Sequence, residues 1–402
     1  MDAYLFDWLN LLLRWAHIIT GIAWIGASFY FVSLDNSLTP PKDPKDAEKG
    51  VGGEQWGVHG GGFYHHMKYP VSPRKLPDQL HWSMWEAYST WLTGFALFTV
   101  LYLYNASTFL IDKTLLDWSP AAAVGTALVS LITFWLAYDT ICRTLGRGKH
   151  GDAIVGGCVF VLIVVAAWLS CHLFAGRAAF LLVGAMVATT MSGNVFFWII
   201  PGQRKVVAAI KAGTAVDAVH GKRGKQRSVH NTFFTLPVLF AMMSNHYGFT
   251  YGAKHNWAVL VAIMAAGALI RLSFALRHRA LTDGKPVPWR YAGAGVLLLA
   301  ATVFAVAPPP AAPAVAAAPA TFAEVQAVVE QRCVMCHGAA LQSKNVRLDS
   351  AGEIARHAQA IYQQAVVLKA MPMNNATQIT EDERALIGRW FTAGATTKSP
   401  NP

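Results

Sequence analysis

Cys333-Val334-Met335-Cys336-His337 places two thiols two residues apart, with an imidazole immediately after the second. That is the attachment pattern of a c-type haem, in which both thiols bond covalently to the macrocycle and the histidine reaches the iron. A zinc knuckle would need two further ligands at suitable spacing, and downstream there is only His357, with no cysteine. Met371-Pro372-Met373 offers thioether sulfur for the opposite face of the iron, and a His/Met pair raises the potential of a haem.

The flanking segments suit this chemistry. Phe322, Val325 and Val329 recur at helical spacing ahead of the motif. Thr380-Glu381-Asp382-Glu383 reads as a capping box opening a helix with Leu386, Ile387, Trp390 and Phe391 as its apolar positions. Helix, CxxCH, loop, Met-Pro and helix together resemble a small class I cytochrome c, spanning 321–402. In that family the sulfur ligand usually precedes the proline, so the resemblance implies Met371 in preference to Met373. The expectation is one covalent haem c, held by Cys333 and Cys336, with His337 and Met371 as axial ligands.

Elsewhere, ionisable side chains interrupt long apolar runs. Arg14, His17, Gly21, Trp24 and Ser28 follow at steps of three and four and share one helix face. His172 and His246, near the ends of later apolar runs, are expected at the same depth as His17. This makes His17, His172 and His246 a candidate set for a b-type haem. A second polar set, Glu86, Asp139, Asn194, His230 and Arg271 with His81, belongs to the other side, where Arg271 can pair with Asp139 or fork onto a planar anion. Gly57-Val58-His59-Gly60-Gly61-Gly62-Phe63-Tyr64-His65-His66 lies in a connection too long for a mere link and reads as a functional loop. On chemical type, the candidate catalytic residues are His17, Arg14, His59, His65 and Arg271.

The elements that must position these groups are membrane helices. The chain is 54% hydrophobic and 14% charged, with mean hydropathy +0.35. A transmembrane helix takes about 20 apolar residues. The expected spans are 8–34, 85–105, 120–142, 153–175, 178–200, 231–248, 256–276 and 289–307, the sixth being weakened by Pro237. Twenty Lys and Arg residues fall in connections on one side of these spans and three on the other. Basic connections stay in the cytoplasm, so both termini and the haem segment are expected to be periplasmic, at a bacterial inner membrane. The net charge of +11 is then this asymmetry, and not a nucleic-acid surface. Asp2 and Asp7 argue against a cleaved leader. The Pro/Ala run at 308–320 reads as an extended tether between a membrane domain, 1–307, and the haem domain. Cys142, Cys158 and Cys171 read as small apolar residues.

The fold class expected is all-α: an eight-helix membrane bundle followed by a small cytochrome. The Arg14–Tyr30 run, the Val58–Tyr64 segment and Trp82-Ser83-Met84-Trp85-Glu86-Ala87-Tyr88 resemble the bacterial membrane-bound urate hydroxylases. That resemblance implies oxidation of urate to 5-hydroxyisourate in purine catabolism, with water supplying oxygen. It also implies delivery of electrons through the cytochrome to a respiratory acceptor, either a soluble cytochrome c or a terminal oxidase. Two electrons leave urate and one haem takes one, which is a reason to consider a second redox centre. A quinol-oxidising relay with a tethered cytochrome, and a transporter fused to a redox sensor, are the alternatives.

Overall fold

The computed structural model describes residues 2–73, 75–146, 150–307 and 320–397. All but Ala320 of the expected tether at 308–320 lies outside the described residues. Helix α1 (Asp2–Ser37) is followed by an antiparallel hairpin, β1 (Gly53–His59) with β2 (Gly62–Lys68). Helix α2 (Trp85–Phe98) continues through a π-helical turn, Thr99–Leu103. Then come α3 (Pro120–Leu145), α4 (Gly151–Leu173), α5 (Gly176–Lys211), α6 (Ala218–Met243), α7 (Asn256–Thr282) and α8 (Trp289–Ala305). The C-terminal unit contains α9 (Phe322–Arg332), α10 (Ala351–Arg356) and α11 (Glu381–Thr392).

Among the described residues, five helices are long and apolar enough to cross a membrane by length and composition: α1, α3, α4, α5 and α7. Helix α5 is the most enclosed, because small residues let its neighbours close in. Ala178, Ala179 and Gly184 are buried on it, and a Cβ on Gly184 would fall 2.5 Å from the Ala241 Cβ of α6. Around it pack Leu131 and Phe134 of α3, Val155 and Val159 of α4, Phe234 of α6 and Leu260 of α7. Helix α1 instead leaves Leu5, Leu12, Ile18 and Ile22 exposed, an apolar face suited to a bilayer.

The bundle has two distinct ends. At the proximal end, Asp7 of α1 pairs with Lys344 of the C-terminal unit at 2.7 Å, and the Ala175 amide ahead of α5 donates to the Leu110 carbonyl at 3.0 Å. At the distal end, Ser33 of α1 bonds His278 of α7 at 3.1 Å, and Lys68 of the hairpin pairs with Asp35 at 2.6 Å.

Three expectations need correction. The fold is mostly helical but not all-α, since Gly60 and Gly61, at φ +57° and +81°, turn the histidine segment into the β1–β2 hairpin. The sixth apolar run is not 231–248. Asp217 accepts from the Val219 amide and opens α6 at Ala218, Pro237 lies inside, and the helix ends at Met243. Asn245 and His246 therefore fall in a 3₁₀ turn beyond it. Arg227, counted among the basic connections, is inside α6 and buried. It donates to Asp139 at 2.7 Å, which displaces the expected Arg271–Asp139 pair.

The hairpin is tied back by one carboxylate. Glu54 accepts from the Lys42 amide at 2.9 Å and from His65 Nε2 at 2.7 Å, while His65 stacks on Trp56 at 4.2 Å. The Lys42 amide, then the His65 ring, hold the Glu54 carboxyl below its ordinary value. A depressed carboxyl stabilises the fold above its unfolded pKa of about 4.3 and loses that contribution as pH falls through the lower folded value. The protection of the 53–68 amides, corrected for the intrinsic pH dependence of exchange, is expected to stay flat down to about pH 4 and to fall below it. In Glu54→Gln that acid step should vanish; an unchanged step would remove Glu54 as its source.

The C-terminal unit has its own core of Phe322, Val325, Val329, Leu348, Ile354, Ile387 and Trp390. Capping boxes open two of its helices, Thr321 with Glu324 and Thr380 with Glu383. They satisfy amides that would otherwise be orphaned at each helix start.

Candidate functional site

Helix α9 ends at Arg332, so Cys333 and Cys336 sit on the turn that leaves it and His337 follows at once. His337 Nδ1 donates to the Val346 carbonyl at 3.3 Å, which orients the ring and leaves Nε2 for a metal. Across the unit, the Met371 amide donates to Gln364 O at 3.0 Å and its carbonyl accepts from Arg384 Nη1 at 2.8 Å. Buried Arg384 also bonds the Ala365 carbonyl, fixing the loop that carries the thioether. Two thiols, an oriented imidazole and a braced methionine loop fit a c-type haem. Met373 is engaged elsewhere, its sulfur 3.8 Å from Arg177 Nη1 of the bundle. With a c-type haem held there and Met371 as its sulfur ligand, Met371→Ala would lower the haem potential by about 0.1–0.3 V, within the ~0.8 V range that axial ligands command. Met373→Ala should leave it in place, and redox titration of the haem band separates the two.

Where the C-terminal unit meets the proximal end there is a pocket of about 430 Å³. The bundle contributes Asp112, Arg177, Asn245, His246 and Tyr251; the C-terminal unit contributes Lys369, Met371 and Asn375. Close approach depends on Gly248, where a Cβ would lie 2.9 Å from the Leu368 carbonyl. Among the described residues, three atoms in this wall are buried without a hydrogen-bond partner: Arg177 Nε, Asn245 Oδ1 and Asn375 Oδ1. Buried polar groups are nearly always paired, so a donor and two acceptors left open mark a place for a polar ligand. Burial, reinforced by Arg14 and Arg177, holds the His246 imidazole below its ordinary value, so it is neutral at pH 7 and able to accept a proton.

Asn245 and His246 also border a second, larger cavity of about 630 Å³ inside the bundle. Its walls are mostly aromatic and aliphatic, from α1, α2, α5 and α6, including Trp24, Phe95, Leu101, Leu181 and Val238. Arg14 and His17 enter it from α1. His17 Nδ1 donates to the Thr90 carbonyl at 3.1 Å and bonds Thr93 Oγ1 at 3.2 Å.

A family model described as urate oxidase N-terminal matches residues 3–307. The chain belongs to the urate oxidase N-terminal family. It is therefore a urate oxidase-related protein, and by family an oxidoreductase. No curated protein and no solved structure matches it.

The matched stretch holds most of the candidate residues, but not as one site. Arg14, His17 and His246 share the bundle cavity. His172 stays outside it: the ring is exposed, stacks on Trp168 at 4.4 Å and donates Nδ1 to the Trp168 carbonyl. His59 is exposed at the hairpin tip and His65 is committed to Glu54. The hairpin packs beside Tyr30, thirteen residues along α1 from His17, or about 20 Å at 1.5 Å per residue. Arg271 lies 3.9 Å over the Phe29 ring, with Nε and Nη2 buried and unpartnered. The inner polar set forms a strut across three helices: Asn194 donates to Tyr138 OH at 3.0 Å and to Asn231 at 2.9 Å, and Tyr138 bonds His230 at 2.7 Å. Asp139 takes Arg227 and Trp198.

The sequence reading missed Arg177, Asn245, Asn375 and Asp112. Arg177 carried one usable signal, as a lone cation in an otherwise apolar connection.

Proposed function

We infer that the protein is a membrane-bound oxidoreductase that converts urate to 5-hydroxyisourate and passes the electrons out through a c-type haem in its C-terminal unit. In this reading eight helices, α1 to α8, span a bacterial inner membrane. The distal end, with the basic residues around α5, α6 and α7, is cytoplasmic, and the proximal end with the haem unit is periplasmic. Urate plus water gives 5-hydroxyisourate, two protons and two electrons.

The observation that carries the reading is the polar pocket at the junction, within a chain whose first 307 residues are matched almost entirely by the urate oxidase model. Urate is planar, anionic at neutral pH and rich in N–H and C=O groups. Arg177 Nε supplies a donor and a charge for its oxygens. Asn245 Oδ1 and Asn375 Oδ1 supply acceptors for its N–H groups. Neutral His246 takes a proton as electrons leave. The bundle cavity is a poorer place for urate, because its apolar walls would strip the heteroatoms of hydration without replacement. A c-type haem on Cys333, Cys336 and His337 would take electrons one at a time. The braced Met371 loop forms part of the same pocket wall, so substrate and that loop are neighbours.

Membranes containing the protein, given urate or quinol and followed at the reduced cytochrome band, test this. Reduction by urate is the expected result. Reduction by quinol alone would replace this reading with the relay, and reduction by neither would leave a protein without catalytic redox coupling.

A further inference from the structure

The geometry points to a non-covalent b-type haem in the bundle cavity, with His17 as an axial ligand to its iron. A metal-bound histidine almost always gives its other ring N–H to a carbonyl or carboxylate, which fixes the tautomer and aims the free nitrogen. His17 has that arrangement. With Nδ1–H on the Thr90 carbonyl, Nε2 carries the lone pair, and among the described residues no hydrogen bond engages it.

Gly94 makes room for this ring. A Cβ there would fall 2.7 Å from His17 Cε1, closer than real side chains approach, so with any other residue at 94 the imidazole would have to shift from this position. Beyond the ring, the cavity of about 630 Å³ lies within the range of about 300–1,000 Å³ for cofactor and ligand sites. Its apolar, aromatic walls suit a macrocycle and do not suit urate. Arg14, Asn245 and His246 in its lining would meet two propionates. Arg14, one turn from His17, makes its only described hydrogen bond to Asn10, at 3.4 Å. His246 and Asn245 line this cavity and are shared with the junction pocket.

The placement also answers the electron count, and only this step rests on the function proposed above. Urate in the junction pocket would lie between two one-electron acceptors. Each haem would then take one of the two electrons of its oxidation, ferric iron becoming ferrous on each side, and the two protons would leave to His246 and water. The cavity argument itself does not depend on urate.

Acid–acetone extraction of the purified full-length protein removes non-covalent haem and leaves thioether-linked haem behind. Pyridine haemochrome spectra of the two fractions are expected to show equal amounts of extractable b-type and covalent c-type haem. His17→Ala should lower the extractable fraction at least tenfold while the covalent fraction, which reports export and folding, stays at its wild-type level. Gly94→Ala, by pushing the ring off its seat, should lower it or shift its band. Wild-type protein without extractable haem overturns the assignment, and so does a His17→Ala variant that keeps all of it. Should His17→Ala fail to accumulate, the wild-type extraction decides alone. Neither readout involves urate turnover, so failure here leaves the proposed reaction standing, and failure of urate to reduce the cytochrome leaves the cavity assignment standing.

Discussion

A Cys333→Ser/Cys336→Ser double variant is expected to insert its bundle and to deliver no electrons from urate to an external acceptor. The two thiols contribute little to the bundle, whose core runs from Phe98 and Tyr102 at the end of α2 through α3 to α7. They contribute a great deal to the C-terminal unit. A unit of this size is close to the roughly 70–80 residues below which a single apolar core rarely stabilises a chain comfortably, so a covalently held prosthetic group would add substantially to its core. Its own core of Phe322, Val329, Ile387 and Trp390 packs on one side of the CxxCH turn, and the covalent group would supply the other. Without the thioether bonds, the expected losses are the covalent haemochrome, the thermal stability of the C-terminal unit and all sustained turnover. Urate-driven reduction of added acceptor measures the last of these. A wild-type rate in the double variant would mean that electrons leave the bundle by another route.

What the sequence made legible is what local chemistry determines. Cys333, Cys336 and His337 are adjacent, and the capping box at Thr380 needs four consecutive residues. The face shared by Arg14, His17, Gly21 and Trp24 follows from helical periodicity alone, and those four do line one cavity. The hairpin was also readable and was missed. Gly60-Gly61 between Trp56-Gly57-Val58 and Phe63-Tyr64-His65 is a two-residue hairpin loop, a conformation that the glycines alone make readable.

The rest was not legible, because it depends on contacts far apart in the chain. Arg177 and Met373 meet across nearly two hundred positions. No periodicity places Asn245 beside Asn375, and none indicates that Gly94 is the seat of an imidazole from another helix. His172 shows the converse failure. Spacing along a helix says how far up a residue lies, but not which way its ring turns about the axis. The histidine turned away from the cavity and settled on Trp168. The end of α6 coincides with a change in the sequence itself: the chain turns polar at Ser244-Asn245-His246, and there the helix gives way to a 3₁₀ turn.

Arg177→Ala is expected to raise KM for urate by roughly a hundredfold with kcat nearly unchanged. Arg177 is the second residue of α5, held at the pocket by packing over Phe109 at 5.8 Å, and its Nε is buried without a partner. Truncating one member of a buried, hydrogen-bonded charge pair costs about 2–5 kcal/mol. At about 1.4 kcal/mol per tenfold, the lower half of that range is about thirty- to three-hundredfold in affinity. A contact made equally to bound urate and to the transition state appears in KM alone. Arg177→Lys keeps the charge but loses the planar fork, so it should recover only part of the affinity. Arg177 also touches the Met373 sulfur, and an effect on the seating of the C-terminal unit would have a different signature. It would lower kcat through slower haem reduction, and Met373→Leu would reproduce it. If Met373→Leu leaves KM alone while Arg177→Ala raises it, the guanidinium acts on the substrate. If both variants depress kcat and neither moves KM, Arg177 belongs to the joint between the two units, and urate binds elsewhere.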